Sequence, residues 1–531
     1  MSYTISQSCS GCGSCLPHCS AGAILRDDGE FWIEPGLCTG CQDEASEPEC
    51  VARCPTQSLV PLPAKKGRYK AVERTATSPD IFSNGMNNPF ASSMVIWEGC
   101  NLLTGAAILP WTTDLNGKFY YQRPVKQGRG AMLFRLAEDW ESTLSSSPDT
   151  NPEPIFDIRS ACLHLIYAAH AVALERPWEQ EFIITDRQIE RYLGLDKRKD
   201  LSKATKLSLI KILARQPGQL EVAIDWPQQG GVRGFTLPQD RLWHLSDIQH
   251  HFQKDDELGY KYLTGLTFKI RAGNWSKYFL NKRGHRQRET FYQYGTLPKF
   301  LLTTVMSIWQ QHIGAARMML WLLFKTKVGR KQSITVPTLM RVAYGAEKIS
   351  QASSSREERK RLLRSFENDL EVLHHYGLKP QFDPVTYPPE IQPLWARLAD
   401  LPNDAEEAID FWIDDGSSDR RLTDSSPRGK WNLLMKARIL SFDLPSEWAQ
   451  QLAKFEQKKQ ARIAKKHRSK LQKIGLSADQ IIKARKKQGI SQRALAQMTG
   501  KSQSWIRDLE NGRFSAKPQD QEILRQILGL S

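Results

Sequence analysis

The chain has no apolar run approaching the ~18 residues that a membrane-spanning helix needs. Its best candidates, Ala161–Leu174 and Met318–Phe324, are too short or carry histidine. The N-terminus shows no basic patch followed by an apolar stretch, so no secretory leader is expected. Both absences predict a protein of the reducing cytoplasm that is not held at a membrane. There, clustered cysteines serve metals or catalysis before disulfides. The sequence also lacks a phosphate-binding glycine loop, a nucleophile elbow and a His-Glu-x-x-His helix, so no enzyme is expected. Cysteine is nearly missing beyond residue 54, where only Cys100 and Cys162 of the ten occur. Each of these two is expected as a buried small hydrophobe.

What is present divides sharply along the chain. The length of 531 residues predicts about three or four folded units. Forty per cent apolar residues suffice for packed cores. The net charge of +16 is uneven: −6 over residues 1–60, +13 over 451–531 and +9 between them. An acidic head and a basic tail imply two separate tasks, and the tail fits a polyanion such as nucleic acid.

Eight cysteines fill the head: Cys9-x2-Cys12-x2-Cys15-x3-Cys19, then Cys38-x2-Cys41-x8-Cys50-x3-Cys54-Pro55. The first run follows the bacterial iron–sulfur spacing, in which the fourth cysteine of each run serves the other cluster. This assigns Cys9, Cys12, Cys15 and Cys54 to one [4Fe–4S] cluster and Cys38, Cys41, Cys50 and Cys19 to a second. Cysteines three apart can wrap one face of a cubane, and the distant fourth ligand then ties together a segment too small to bury much surface. Two structural zinc sites are the competing reading, but zinc normally takes its ligands in two pairs. With Gly22-Ala23-Ile24 after the first run, residues 1–65 resemble the bacterial two-cluster ferredoxins. The x8 gap matches the subgroup with an enlarged second-cluster loop. Ser20 stands where that family usually has proline, which predicts an altered turn and solvent access near the second cluster.

The tail reads as four helices. The first, 478–489, ends at Gly489; Ser491 caps the second, from Gln492 to about Thr499; Gly500 turns the chain. Ser502 caps the third through Leu509, and Asn511-Gly512 ends it. The fourth, about Pro518–Leu528, is expected to close the bundle with Ile523, Leu524, Ile527 and Leu528. The string Gly489-Ile490-Ser491-Gln492, Leu495-Ala496, Gly500-x-Ser502, Ile506, Leu509-Glu510-Asn511-Gly512 resembles the Cro/C1-type helix-turn-helix family. That resemblance implies a third helix in the major groove, with Gln503, Ser504 and Arg507 at base edges behind the Ser502 cap. Gln492 and Asn511, with Arg513, would fix phosphates. Thr499 and Lys501 replace residues that are usually apolar, so the corner between helices two and three is expected to be looser or covered. A helical interaction module with a solvated basic face is the plainer reading. Upstream, 454–473 carries nine Lys/Arg and one acid, either a phosphate-gripping arm or a solvated connector.

The middle is less distinct. Ser142–Pro154 and Asp414–Arg428 look like linkers. Residues 66–140, with Trp97, Trp111, Tyr120, Tyr121 and Trp140, predict short strands beside the ferredoxin segment. Ile184-Thr185-Asp186…Tyr192-Leu193-Gly194 echoes Ile334-Thr335-Val336…Tyr344-Gly345. Each follows an apolar helix (Ile158–Ala173; Ala315–Thr326) and precedes a charged one (Ser202–Arg215; Arg356–His375), then a strand (Leu220–Ile224; Leu378–Phe382). That order predicts tandem winged helices, against an ordinary helical scaffold. His164 and His170 are expected as satisfied core residues, and the pairs at 250–251 and 374–375 at the surface.

The expected architecture is therefore multidomain α+β. It comprises a ferredoxin-like 2[4Fe–4S] domain (1–65), a small mixed region (66–141), a mainly helical middle (155–413), a helical basic linker (429–475) and an all-α helix-turn-helix domain (476–531). This arrangement resembles the CnfR (PatB) family of cyanobacterial nitrogen-fixation regulators. The resemblance implies a transcriptional activator of nitrogenase genes under low oxygen, with promoter DNA and RNA polymerase as partners; the two winged-helix units of the middle would add DNA contact or dimerise the chain. Other classes are a ferredoxin-type electron carrier tethered by its basic tail, and an iron–sulfur repair or replication factor.

Overall fold

The computed structural model describes residues 3–6, 8–27, 30–33, 37–38, 40–41, 47–62, 76–105, 111–115, 117–137, 156–254, 261–329, 332–398, 404–417, 427–445, 448 and 476–530. The chain forms two compact units, Met1–Pro445 and Ser446–Ser531. The expected linker 142–154 and the basic arm 454–473 lie outside the described residues, as does most of 414–428. Its first residues, 414–417, end the helix Ala405–Ser417.

In the first unit, Tyr3–Ile5 pairs antiparallel with Leu59–Pro61, so the two ends of the cysteine-bearing segment are joined. A hairpin, Ile24–Asp27 with Glu30–Ile33, follows the first cysteine run, and the short helix Glu49–Ala52 carries Cys50. Ile5, Ala23, Ile24, Phe31, Ile33 and Leu59 make a small apolar core with Cys15 and Cys50. Successive strand residues face opposite ways. Phe31 joins this core, whereas Trp32 meets His250 and Phe252, with centroids 4.5 and 5.9 Å away.

The middle is built around the helix Ile158–Ala173, fourteen of whose sixteen residues are buried. A helix apolar all round belongs in a core. The echo noted above is structural. After this helix come the strand Glu181–Thr185, a helix Asp186–Tyr192 and a helix Lys203–Arg215. The hairpin Trp243–Lys254/Lys261–Ala272 follows, and its second strand pairs with Glu181–Thr185. The second copy runs helix Ile313–Gly329, strand Ile334–Thr335, helix Val336–Tyr344, helices Ala346–Ser354 and Arg356–His375, then strands Lys379–Phe382 and Arg438–Asp443. Its last strand lies between the other two. In both copies the last strand of the set is thus central. Thr185 and Thr335 each cap the short helix that follows, through their side-chain oxygens.

Several expectations need correction. The expected helical linker 429–475 is, over its described residues 429–445, a short helix Lys430–Leu434 followed by the strand Arg438–Asp443, which belongs to the first unit because it pairs with Ile334–Thr335 and Lys379–Phe382. Leu220–Trp226 is a strand, but it is not part of the first copy's three-stranded sheet; it pairs with Gly130–Leu136 and Phe235–Arg241 in a five-stranded sheet. The described residues of 66–141 accordingly form no separate region: Phe119–Val125 and Gly130–Leu136 belong to that sheet, and Asn87–Ala91 pairs with Tyr294–Pro298. Trp97 sits on a helix, Met94–Leu103, that packs on Ile158–Ala173. Gly99 permits this approach, because a Cβ there would stand 2.9 Å from Leu242 Cδ1 and 3.1 Å from His164 Cε1. Finally, His250 and His251 are half-buried rather than surface residues, because the Trp32 ring covers His250.

Cys100 and Cys162 are buried as expected. His164 is satisfied at both ring nitrogens, Nε2 against the Ile96 carbonyl (3.0 Å) and Nδ1 accepting from Trp243 Nε1 (2.8 Å). His170 is not, because its Nε2 is buried without a hydrogen-bond partner while its ring stacks on Phe182. Among the described residues no helix is long and apolar enough to cross a membrane.

The described residues 476–530 of the second unit form the helices Ala478–Lys487, Gln492–Thr499, Gln503–Glu510 and Pro518–Leu528. Ser477, Ser491 and Ser502 cap the first three through their side chains. Gly489, Gly500 and Gly512 take positive φ between them. Ile481, Leu495, Ile506, Leu509, Leu524 and Leu528 fill the core. Ile523, expected inside, is 38% exposed: the closing face is carried by Leu524 and Leu528.

Candidate metal centre and candidate nucleic-acid interface

The cysteine loops turn through residues with positive φ: Gly11, Gly13, Gly22, Gly40 and Cys41. These left-handed positions bend the chain tightly enough to face successive thiols inward. The structure brings the eight thiols into two neighbourhoods. Burial pushes the Cys15 thiol up, and the nearby Cys54, Cys9 and Cys12 thiols push it further. Burial likewise pushes Cys50 up to about 11, with Cys19, Cys41 and Cys38 acting ahead of Cys15. Cys54 thus acts on Cys15 of the first run, and Cys19 on Cys50 of the second.

Donors surround the sulfurs. Gly11 N–H donates to Cys9 Sγ (3.4 Å), Ala23 N–H to Cys19 (3.2 Å), Ser58 N–H to Cys54 (3.3 Å) and Tyr3 N–H to Cys38 (3.4 Å). The Ser14 hydroxyl reaches Cys12 Sγ at 3.3 Å. For Cys54, burial opposes ionisation, but the bonds from Ser58 and Thr56 hold the thiol below its ordinary value. Amide-to-sulfur bonds of this kind stabilise thiolates and tune iron–sulfur potentials. A donor set of thiols alone, four of them reached by the backbone N–H groups named above, fits an iron–sulfur group. Among the described residues no three or more His, Cys, Asp or Glu side chains converge as a single-ion site. Ser20, in the place of the family's proline, puts its hydroxyl 3.8 Å from Cys41 Sγ. The replacement therefore adds a polar neighbour beside a second-group thiol.

At the other end, Gln503, Ser504 and Arg507 are exposed together on the third helix, as a reading surface requires. Asp508 accepts from Arg513 Nη1 (3.0 Å) and lies 3.7 Å from Arg507 Nε, so one carboxylate holds two guanidinium groups side by side. Ser502 both caps the helix and bonds the Ser504 hydroxyl (2.9 Å). Asn511 is exposed at the helix end. Gln492, expected at a phosphate, is half-buried and gives an amide proton to Glu510 Oε2 (2.7 Å).

Sequence reasoning missed the lock beneath this surface. Glu510 is buried and takes Arg485 Nη2 at 2.9 Å. Burial opposes its ionisation, but the bonds from Arg485 and Gln492 outweigh that and hold the carboxyl below its usual range. The available signal was an acid at the end of a recognition helix facing the basic end of the first. The expected loose corner is also corrected. The Thr499 hydroxyl returns to the Leu495 carbonyl (2.7 Å), which lets the residue be buried. Lys501 pairs with Asp520 at 2.8 Å and lies over the Trp505 ring.

Comparison with known proteins agrees at both ends. Residues 481–531 match the helix-turn-helix family model. The N-terminal segment is 45% identical over 58 residues to a ferredoxin-like protein in the nif region of Trichormus variabilis, which is 10% of this chain and 50% of that protein. A protein of the same description from Nostoc is 43% identical over 58 residues, again 10% of this chain and 50% of the relative. The chain thus spans about half the length of the first curated relatives it matches. Ferredoxin-3 of Chlorobaculum tepidum is 37% identical over 60 residues, which are 11% of this chain and 97% of the ferredoxin. No solved structure gives a significant match. Because the match covers nearly all of that ferredoxin, the chain belongs, through its first sixty or so residues, to the ferredoxin family.

Proposed function

We propose that this protein is an oxygen- or redox-responsive, sequence-specific transcriptional activator of nitrogen-fixation genes, of the CnfR (PatB) kind. Two [4Fe–4S] clusters are held by Cys9, Cys12, Cys15 and Cys54, and by Cys19, Cys38, Cys41 and Cys50. Gln503, Ser504 and Arg507 read base edges, while Ser502, Gln492, Asn511 and Arg513 lie along the backbone contacts. The observation that carries this reading is the presence, on one chain, of a segment similar to nif-region ferredoxins and a helix-turn-helix domain with an exposed third helix. Bound clusters supply one-electron redox chemistry and lability to oxygen. Ligation free energy is folding free energy in so small a segment, so cluster loss loosens the core around Phe31. Trp32, the next residue, carries that change to the middle. The two repeated units of the middle are read as winged helices that supply further DNA or subunit contact, and activation implies RNA polymerase as a partner.

The test is binding of the anaerobically purified full chain to nitrogenase promoter fragments before and after controlled air exposure, with iron and sulfide counted. Specific affinity should fall as iron is lost. If affinity ignores cluster state while the reduced clusters pass electrons to an enzyme, the tethered electron carrier is the correct reading.

A further inference from the structure

A cleft of about 620 Å³ lies where the cysteine-bearing segment meets the middle. Its walls include Arg26 and Trp32 from the hairpin, Lys211 and Arg215 from the helix Lys203–Arg215, and Gln219 and Arg241 beyond it. Four cations thus converge on one space. The acid in the lining, Asp247, is held by Lys269 at 3.1 Å. Arg241 has Glu221 at 3.8 Å. Arg26 and Arg215 are exposed and form no ion pair among the described residues. Gathering like charges in a concave site raises the local potential for an anion.

Two further atoms are in want of a partner. Trp32 is only 7% exposed, yet its Nε1–H is buried without an acceptor. Gln219 Oε1 is buried without a donor. Unpaired buried polar atoms are rare and costly, and an unoccupied ligand position is one of the few structural explanations. Leu25, Leu245 and Ile248 supply an apolar side. The volume falls within the ~300–1,000 Å³ range of ordinary ligand sites.

The geometry points to a binding site for a small organic phosphate of nucleotide size. Guanidinium groups match phosphate oxygens in a planar fork. The Trp32 indole N–H adds a donor to the same anion, and a ligand hydroxyl or amino group donates to Gln219 Oε1. One wall belongs to the cysteine-bearing segment and the other to the middle, so a bound phosphate draws the two together. The site acts as a second input, separate from the clusters. It does not rest on the DNA-binding reading.

The experiment uses the full chain, purified anaerobically with its iron–sulfur content intact, titrated calorimetrically with ATP and with ribose 5-phosphate. At least one should bind saturably at one site. The double variant Arg26→Ala/Arg215→Ala should weaken it about tenfold or more, and Trp32→Phe by a smaller factor, at unchanged iron content. Absence of saturable binding of either probe at millimolar concentration overturns the proposal, as does equal affinity in the double variant. If neither probe binds but the double variant loses affinity for duplex DNA, the cleft is a DNA-backbone contact and the small-molecule site is likewise overturned.

Discussion

The indole of Trp32 and the imidazole of His250 lie 4.5 Å apart, the first on the hairpin behind the cysteine loop and the second on the long strand Trp243–Lys254. Its neighbour Phe31 closes from within: a Cβ placed on Gly13 would stand 3.6 Å from its ring. One dipeptide therefore faces the thiols with one side chain and the middle with the other. Trp32→Ala should leave iron content near the native value. It should, however, cost a few kcal/mol at this contact, at the scale of about 3–5 kcal/mol known for buried aromatic truncation. DNA affinity should then respond less to air, while limited proteolysis releases the N-terminal segment sooner. A native air response in this variant would place the coupling elsewhere.

Cys12 and Cys100 make a second contrast. Cys12 is exposed and hydrogen-bonded by Ser14, which holds its thiol below the ordinary value. Cys100 is buried, and burial pushes its thiol up to about 12. Cys12→Ser should lower iron by about half if each four-thiol group holds one cluster. Cys100→Ser should keep the iron and instead lose about 1–3 kcal/mol of stability, from a hydroxyl buried without designed partners. Iron and sulfide per chain, read beside thermal unfolding, separate the two effects.

The Arg485–Glu510 pair, joined by Gln492, governs the stability of the helix-turn-helix. Glu510→Ala leaves Arg485 without its carboxylate and should cost on the order of 3 kcal/mol in the second unit. The sign of the pH effect follows from a folded carboxyl held below its unfolded value. The stabilisation is present above the ordinary carboxylate range and is lost as pH falls through the folded value. Urea unfolding of the full chain, followed by helical signal from this unit, should show the acid loss in the native protein and a flatter profile in Glu510→Ala.

Arg507 is exposed on the third helix, with Asp508 steadying it. Arg507→Ala should cost about 1–3 kcal/mol and relax preference at one base pair. A pool of single-position operator variants distinguishes this from a phosphate contact, for which the loss is uniform across sequences and the salt slope falls by about one.

The tail was legible because capping serines and turn glycines mark its boundaries. Ser491 and Gly500 bracket the helix Gln492–Thr499 as read from the sequence. The helix Ile158–Ala173 likewise stood out through its apolar run, and the structure adds the Asp157 cap. Met94–Leu103 was hidden because Gly99, a poor helix former, is required by the approach of His164, which only the tertiary structure reveals. The partner of Leu220–Trp226 was hidden for a related reason. Strand residues specify a buried face, but pairing with Gly130–Leu136 across some ninety residues leaves no local mark. Trp32 was not singled out, since an aromatic in a hairpin does not announce what covers it.

His164 and His170 carry the last prediction. Burial pushes both imidazoles down to about 4, against an ordinary value near 6.5. A folded pKa below the unfolded one gives stability that is present above pH ~6.5 and is lost as pH falls toward 4. A shift of this size corresponds to roughly 3 kcal/mol per histidine once both forms are protonated. His164 is bound at both nitrogens, so replacing it would leave the Trp243 indole N–H unpaired. His170 offers the cleaner test, because its Nε2 has no partner and its ring stacks on Phe182 at 5.2 Å. His170→Phe should preserve the stack, leave stability at pH 7.5 equal or higher, and flatten the decline between pH 6.5 and 4. The measurement is urea unfolding of the first unit across that range. A decline as steep as in the native chain would mean that His170 is already protonated in the folded state.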